Sequence, residues 1–314
     1  MLDAAVILVN YRSEALLCQA LECLAGGAED LPAEVIVVDN SPDMGLKHQL
    51  PDLPFPATVL PMDGNRGFAA AVNRGLAETA RPVVILLNPD TRPGPGLLRG
   101  LIDVLARHPE AGVAAPVLVP FDAGEPLIPS ATQRDPDLLS ALVEYTAAGR
   151  LAGDWLRRRY YVAPDGSRDP VSCAAVQGAC FAIARPWLER VGPFDEKRFF
   201  LYWEDTDFCR RVRQAGGQVL YCPQLRCPHR GGASTADGRQ DTPSFWRAFH
   251  AYHRRYHGPV YCALLRGLLT AGIGTELALA NLAGLLRKQN DPGHRRYREL
   301  LRTRWKQQVP RGPA

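Results

Sequence analysis

The chain has 314 residues, of which 46% are hydrophobic and 22% are charged, and its formal net charge is +4. This composition is typical of an ordinary globular protein and excludes the disordered and collagen-like classes. The length suffices for one large α/β domain with an appendage.

Alternating strands and helices are predicted over residues 1–118. The run AAVILVNYRS is typical of a buried strand, the apolar spacing from Glu14 to Leu24 predicts a helix, and EVIVVDNS indicates a second strand. A helix in GNRGFAAAVNRG then precedes the strand of PVVILLNPDT, and a helix from Pro95 to Arg107 leads into GVAAPVLV. We therefore predict the nucleotide-binding half of an α/β domain with a mostly parallel sheet.

Polar side chains stand at the ends of three of these strands, namely Asn10, Asp39 and Asp90. Right-handed βαβ connections bring the carboxyl ends of parallel strands to one edge, which is where ligands bind in such sheets. We expect these three residues to converge on one site.

Residues 119–240 are predicted to form the acceptor and catalytic half of a domain that spans residues 1–240. Prolines interrupt residues 120–172, which we interpret as an acceptor-side insertion. Order returns with a strand and helix in VQGACFAIARPWLERVGPFDE, followed by the polar segment YWEDTDFCRR.

Residues 241–314 are predicted to be a helical, basic appendage. The 20-residue stretch GLLTAGIGTELALANLAGLL is long enough to cross a bilayer, but Glu276 lies near its centre and four glycines weaken it. We favour an amphipathic helix that packs on the domain or lies at a membrane surface. The basic residues predict either an anionic partner, such as phospholipid or a lipid diphosphate, or only a solvated face, and the absence of a recognisable motif argues against nucleic acid.

Eight cysteines occur without a Cys-x-x-Cys pair, and no secretory signal precedes the first predicted strand. We therefore expect reduced thiols in a cytoplasmic protein.

Asp39 is the candidate for recognition of a nucleotide base, because an ionised carboxylate accepts the imide hydrogen of uracil or thymine. The alternative is a loop-capping aspartate. Asn88 and Asp90 supply hard oxygen ligands of the kind that Mg²⁺ or Mn²⁺ takes while it bridges a diphosphate, and a neutral His229 would complete the metal shell. Asn-Pro-Asp is also a common turn sequence, and a lone histidine is often structural.

The segment YWEDTDFCRR places Glu204, Asp205 and Asp207 on the first turns of a predicted helix. Acidic residues there complement the helix dipole, which is the structural alternative. In a transfer from a nucleotide-diphosphate donor, one carboxylate has to deprotonate the hydroxyl group of the acceptor. Neighbouring negative charge raises the pKa of such a carboxylate and makes it a better base. We choose Asp205 as the general base, with Glu204 beside it.

Taken together, these segments resemble the family 2 glycosyltransferases of the GT-A fold, in the rhamnosyltransferase-like and galactofuranosyltransferase-like branch. The resemblance covers residues 3 to 260 and rests on six ordered pieces: VILVNYRS, EVIVVDNS, GNRGFAAAVNRG, LLNPDT, the stretch from QGACFAIARPW to CRRVRQAG, and PHRGGAS. In the wider family the metal motif is Asp-x-Asp, whereas Asn88 takes the first place here, so one direct carboxylate fewer should weaken the metal site.

The resemblance implies a set of site residues. Those implied to bind the nucleotide and the donor are Asn10, Tyr11, Asp39, Asn65, Arg66, Gly67, Asn73, Asn88 and Asp90. Those implied for the cation are Asp90 and His229, those for catalysis are Asp205 and Glu204, and those for the acceptor are Trp203, Gly178 and Arg210.

The reaction implied is inverting and metal-dependent transfer, by resemblance from dTDP-rhamnose, to a saccharide or polyprenyl-diphosphate-linked saccharide of a cell-surface polysaccharide. The alternatives are a UDP-sugar donor carrying galactofuranose, glucose or N-acetylglucosamine, and an inactive nucleotide-sugar-binding module. A dehydrogenase or P-loop enzyme is excluded because neither glycine motif occurs. We expect the protein in the cytoplasm, with peripheral attachment to the inner face of the plasma membrane as an open alternative; the oligomeric state is not predicted.

Overall fold

The computed structural model describes residues 1–27, 30–42, 46, 50–121, 130–147, 149, 158–162, 169–230, 243–286 and 292–308. The chain divides into two compact units, one of residues 1–135 and 161–239 and the other of residues 136–160 and 240–314. The glycines after His229 and the basic residues 287 and 288 lie outside the described residues.

The first unit contains ten strands and five helices among its described residues. The strands are β1 (Leu2–Asn10), β2 (Pro32–Asp39), β3 (Ala57–Pro61), β4 (Val83–Leu87), β5 (Ala111–Val119), β6 (Ala131–Thr132), β7 (Val171–Ser172), β8 (Ala175–Val176), β9 (Cys180–Ala184) and β10 (Gln218–Pro228). The helices of this unit are α1 (Glu14–Ala25), α2 (Phe68–Leu76), α3 (Leu97–Arg107), α5 (Arg185–Val191) and α6 (Glu204–Gln214).

Eight strands form one sheet in the order β3-β2-β1-β4-β9-β5-β10-β7. The pairs β1–β2, β1–β4, β2–β3 and β5–β10 are parallel, whereas β9 runs antiparallel between β4 and β5 and β7 runs antiparallel to β10. This confirms the predicted α/β class and the mostly parallel central sheet.

Successive residues of strand β1 point to opposite faces of the sheet, and both faces are covered. Leu8 packs in a core with Leu21 of α1 and Leu101 of α3. Ile7 packs in a second core with Val72 of α2 and Phe208 of α6. A strand buried on both sides has to be apolar throughout, which is why β1 and β2 could be recognised as unbroken hydrophobic runs.

The second unit consists of helices α4 (Leu138–Tyr145), α7 (Pro243–Tyr256), α8 (Pro259–Leu286) and α9 (Pro292–Gln308). Residues 136–160 belong to this unit, although the sequence-based division placed them within 119–240. The reason is aromatic packing: the ring of Tyr145 lies 5.0 Å from that of Trp246, 5.5 Å from that of Phe249 and 5.7 Å from that of Phe245. The C-terminal helical appendage is confirmed.

Among the described residues, one helical segment, Pro259–Ala283, has the length and hydropathy that a membrane crossing needs, and 22% of its most apolar window is buried within the protein. Length and composition are the only grounds for this assignment, and they do not separate a crossing from a helix that lies at a surface.

Candidate active site

The carboxyl ends of the parallel strands bring the predicted site residues to one edge of the sheet. Asn10 and Asp39 are directly opposed at the ends of β1 and β2. The β10 residue Pro228 pairs with Val119 at the end of β5, so His229 follows at the same edge. The antiparallel strand β9 begins there too, because Cys180 pairs with Leu87 at the end of β4.

Asn10 and Asp39 form a buried polar network. The Asn10 Nδ2 donates to Asp39 Oδ1 at 3.0 Å and to Ser41 Oγ at 3.3 Å, and the backbone N–H of Ser41 donates to the same Asp39 oxygen at 3.2 Å. The Asn10 Oδ1 in turn accepts from the hydroxyl of Ser13 at 3.0 Å. These bonds fix the orientation of the Asp39 carboxylate. Tyr11, the residue that follows Asn10, is half-buried.

Asn40, which the sequence analysis did not single out, organises the predicted donor loop. Its Nδ2 donates to Asn65 Oδ1 at 3.0 Å and to the Gly67 carbonyl at 3.3 Å, while its Oδ1 accepts from the Arg66 backbone N–H at 2.9 Å. The Asn40 side chain is 2% exposed, whereas Asn65 and Arg66 lie at the surface. An amide both donates and accepts, so Asn40 can hold three points of the loop at once.

Gly67 is the point at which this loop meets the segment before α6. Its φ is +90°, and a Cβ at this position would lie 2.4 Å from the carbonyl oxygen of Phe200. The backbone N–H of Phe68 donates to that same oxygen at 2.7 Å. Only glycine has both the conformation and the space for this approach.

The side chain of Asn73 forms hydrogen bonds to other parts of the protein. Its Nδ2 donates to the Phe194 carbonyl at 2.9 Å and to Glu196 Oε2 at 2.8 Å, and its Oδ1 accepts from the Phe194 N–H at 2.9 Å. Asn73 therefore ties α2 to the loop that follows α5, which is an indirect way to support a donor site.

Asp90 and His229 face each other across the edge of the sheet. The His229 Nε2 lies 3.3 Å from Asp90 Oδ1, and the two residues are 9% and 3% exposed, respectively. Within the described part of the chain, neither Asp90 Oδ1 nor His229 Nδ1 has a hydrogen-bond partner. A buried carboxylate oxygen without a donor is unusual, because such a group needs a compensating partner.

This pair fits a divalent cation, since a carboxylate oxygen and an imidazole nitrogen are both ligands that Mn²⁺ accepts. No group of three or more potential ligands among His, Cys, Asp and Glu occurs in the described residues. Asp90 and His229 would hold such an ion, and phosphate oxygens of a substrate are further ligands of the kind that it takes. Asn88, which is half-buried, is fixed through its backbone, which donates to the Ala179 carbonyl at 2.8 Å and accepts from Thr91 Oγ1 at 2.7 Å.

The segment before α6 has an unusual backbone. Tyr202 and Trp203 have φ values of +71° and +70°, the left-handed region that side chains other than glycine rarely adopt. Such conformations cost on the order of 1–3 kcal/mol each and cluster at functional sites. Here they bring the chain sharply into the helix that begins at Glu204.

Asp205 is held by backbone donors at the start of this helix. Its Oδ2 accepts from the Gly178 N–H at 2.8 Å, and its Oδ1 accepts from the Thr206 N–H at 2.6 Å. Burial raises the pKa of Asp205, and these hydrogen bonds oppose that rise. Gly178 adjoins Ala179, whose carbonyl accepts from the N–H of Asn88, so Asp205 is held one residue away from the point that fixes the backbone two residues before Asp90.

The other charged residues of the segment have different surroundings. Glu204 is 5% exposed, and burial, with the charge of Asp205 second, raises its pKa well above the ordinary value. Asp207 accepts from Arg211 Nε at 2.9 Å, and Arg211 Nη1 donates to a backbone carbonyl of the α5 end at 2.6 Å. Arg210 Nε lies 3.7 Å from Asp135 Oδ2.

The carboxyl edge of this Rossmann-like sheet carries a base-binding candidate, a facing carboxylate and imidazole, and a buried carboxylate at a helix start, which is the edge where α/β domains of this type bind their ligands. The sequence model described as "Glycosyl transferase family 2" matches residues 5–192, more than half of the chain. The chain therefore belongs to glycosyl transferase family 2, as the resemblance in its sequence implied, and is a glycosyltransferase.

Two curated relatives illustrate the family. The chain is 29% identical over 239 residues, 71% of its own length and 74% of the relative's, to N-acetylglucosaminyl-diphospho-decaprenol L-rhamnosyltransferase of Mycobacterium tuberculosis (strain ATCC 25618 / H37Rv). It is 25% identical over 233 residues, 72% of its own length and 67% of the relative's, to the low-salt glycan biosynthesis hexosyltransferase Agl10 of Haloferax volcanii.

Solved structures confirm the GT-A fold. The mannosyltransferase PcManGT from Pyrobaculum calidifontis, solved with GDP-Man and Mn²⁺, superposes with a TM-score of 0.54 at 18% identity and covers 97% of this chain and 85% of its own. GalNAc-T7, solved with UDP, GalNAc and Mn²⁺, gives a TM-score of 0.53 at 16% identity over 72% of this chain and 42% of its own.

Proposed function

We propose that this glycosyltransferase moves rhamnose from dTDP-rhamnose, with inversion, to a polyprenyl-diphosphate-linked saccharide at the cytoplasmic face of the membrane, as a step of cell-surface polysaccharide assembly. The observation that carries the proposal is that Asp205 accepts from Gly178, next to the Ala179 carbonyl that holds the backbone of Asn88, while Asp90, two residues after Asn88, faces His229. The mycobacterial relative, named for rhamnosyl transfer and a diphospho-decaprenol, supports the choice of sugar and acceptor.

Binding of the donor follows from the polar edge of the sheet. Asp39, oriented by Asn10 and Ser41, accepts the imide hydrogen of thymine, and the loop of Asn65 to Gly67 lines the sugar diphosphate. Asp90 and His229 would hold Mg²⁺ or Mn²⁺ against the diphosphate. When bound, the cation supplies positive charge that stabilises the leaving group.

The transfer is a single displacement. Asp205 accepts the proton of the acceptor hydroxyl, and the hydroxyl oxygen forms a bond to the anomeric carbon of rhamnose. The bond from that carbon to the diphosphate oxygen breaks, and its electron pair leaves with dTDP. Because one nucleophile attacks from the face opposite the leaving group, the anomeric configuration inverts. The raised pKa of Asp205 brings this base nearer to neutral pH than an ordinary aspartate.

The test supplies the full chain with dTDP-rhamnose, UDP-galactofuranose, UDP-glucose or UDP-N-acetylglucosamine and a polyprenyl-diphosphate-linked N-acetylglucosamine acceptor, with Mn²⁺ or after chelation. The expected result is a rhamnosylated lipid formed only with the cation, with the inverted anomer seen by NMR. Transfer from a UDP-sugar alone would replace the donor, and a retained anomer would refute the mechanism. Nucleotide binding without transfer to any acceptor would indicate an inactive binding module.

Asp90→Asn is the matched variant for the metal role, because it keeps the shape of the side chain and removes its charge. It should lower the affinity for Mn²⁺ and the rate together. Equal Mn²⁺ dependence in Asp90→Asn and the unaltered chain would remove Asp90 from the cation site.

A further inference from the structure

One face of α8 is exposed to solvent without a single charged side chain. The exposed residues along it are Val260, Ala263, Leu264, Gly267, Leu268, Ala271, Thr275, Ala278, Leu279 and Leu282. At 3.6 residues per turn they fall within an arc of about 160°, and at 1.5 Å per residue the stripe runs for about 33 Å. We call these ten residues the α8 stripe. Val260, Leu264, Leu279 and Leu282 of this stripe are between 53% and 73% exposed.

The opposite face of α8 is fixed within the unit. Leu265, Leu269 and Ile273 are buried, and Glu276 is 6% exposed and accepts a hydrogen bond from the hydroxyl of Tyr297. The helix therefore turns its one carboxylate inwards and its uncharged stripe outwards. A helix that was simply solvated would carry its charged residues on the exposed side.

The neighbouring helices supply positive charge. Their exposed cations are Arg247 and Arg254 on α7 and Arg295, Arg302 and Lys306 on α9, whereas Glu299 is the one exposed acid of α7 and α9 within the described residues. The Trp305 side chain of α9 lies beside Gly274 of α8 and is 38% exposed. An apolar stripe, exposed cations and a half-exposed tryptophan are the combination found where proteins meet an anionic lipid surface.

We propose that the second unit binds to the surface of a bilayer that carries anionic lipids, with α8 lying in the plane of the interface and its stripe inserted among the acyl chains. The inward Glu276 and the packing of Gly272 against Thr146 of the same unit keep the other face on the protein, so the helix lies on the bilayer and does not cross it. The inference depends on this surface alone and not on the donor, acceptor or mechanism proposed above.

The test is flotation of the full chain with vesicles of phosphatidylcholine alone or with 30–40% phosphatidylglycerol, roughly the anionic range that makes such electrostatic attraction strong. The test variant is Leu264→Glu combined with Leu279→Glu, and the matched control is Leu139→Glu, an exposed leucine of α4 outside the stripe. We expect binding to the anionic vesicles only. The double variant should weaken it at least about tenfold, because two half-exposed leucines no longer transfer to the acyl region, while the control binds like the unaltered chain.

A second pair, Arg302→Glu with Lys306→Glu, should weaken binding and reduce its dependence on salt. Circular dichroism and sedimentation velocity without vesicles show whether each variant is folded and monomeric. Equal vesicle binding by the double-leucine variant and the control would overturn the proposal. So would a dimer of the unaltered chain that the double variant converts to monomer without a change in vesicle binding. Retention of bound protein after an alkaline carbonate wash would show crossing and also overturn it.

Discussion

Gly67→Ala should damage both stability and transfer, because Gly67 is where the donor loop touches the segment that leads to Asp205. The substitution has two costs. The first is the backbone conformation, with φ +90° and ψ 165°, a region that is essentially restricted to glycine and costs another residue on the order of 1–3 kcal/mol. The second is steric, since the new Cβ would lie 2.4 Å from the carbonyl oxygen and 2.7 Å from Cδ2 of Phe200.

Gly64→Ala is the matched control for the steric cost. Gly64 has a similar φ of +80°, but a Cβ there would meet no atom within 4 Å. The difference between the variants therefore reports the contact with Phe200 together with the glycine-only backbone conformation of Gly67. Overpacking costs about 1–3 kcal/mol and a lost Phe68-to-Phe200 hydrogen bond about 1 kcal/mol, so Gly67→Ala should unfold with a free energy about 2–4 kcal/mol lower than Gly64→Ala.

Urea unfolding followed by circular dichroism measures the stability, and kcat of sugar transfer measures the site. Because Phe200 lies only a few residues before Asp205, a shift of about 1 Å there should lower kcat roughly 10²-fold in Gly67→Ala. Gly64→Ala should keep a kcat near that of the unaltered chain. Equal unfolding midpoints and equal kcat in the two variants would refute the assignment of Gly67 as the contact point between the two segments.

Three further predictions concern neighbouring polar groups. Asp205→Asn should lower kcat about 10²–10⁴-fold, while calorimetry should show an unchanged affinity for dTDP. In the unaltered chain, the acidic limb of the plot of kcat/KM against pH should lie above the pKa of an ordinary aspartate. Normal turnover by the variant would exclude Asp205 as the base. In urea titrations, Glu204→Gln should be more stable than the unaltered chain at pH 8 but not at pH 4. The pKa of Glu204 is raised in the folded state, so the unaltered protein loses stability as pH rises through that pKa. A stability difference that stays constant across pH would contradict this. Asn40→Ala should raise the KM for the donor up to about tenfold in initial-rate assays with little change in kcat, because the loop of Asn65 to Gly67 loses the buried amide that it bonds to. An unchanged KM would show that this loop keeps its conformation without Asn40.

The central strands and their flanking helices could be predicted because the pattern of apolar residues in each segment reflects which of its faces are buried. The helix predicted from Glu14 to Leu24 extends over Glu14–Ala25, and the one predicted from Pro95 to Arg107 occupies Leu97–Arg107. Burial on both faces makes β1 and β2 continuous apolar runs, while burial on one face gives the helices their spacing. The convergence of the strand ends follows from parallel topology and needs no knowledge of side-chain contacts.

Other features depend on tertiary contacts that leave no local pattern. The run CFAIA of β9 does not reveal that this strand is antiparallel between β4 and β5. Asn40 and Asn73 each have an amide that suits a ligand or a loop equally well, and only their observed partners show that they hold protein segments. The assignment of residues 136–160 to the helical unit likewise depends on aromatic rings distant in sequence.

The start of α6 shows how one acidic cluster acquires different properties. Asp207 is tied to Arg211, which also bonds the end of α5, so this carboxylate belongs to the framework. Asp205 receives two backbone N–H groups, which keep an ionised form accessible despite burial. Glu204 is buried and lies next to the charge of Asp205, so the neutral acid is favoured at this position. Spacing alone cannot rank the three carboxylates, because their burial and their hydrogen-bond partners are decided by the tertiary structure. Asp205 is the one whose side chain accepts from Gly178, next to the Ala179 carbonyl that holds the backbone of Asn88, and for that reason it is the carboxylate to which we assign the proton transfer.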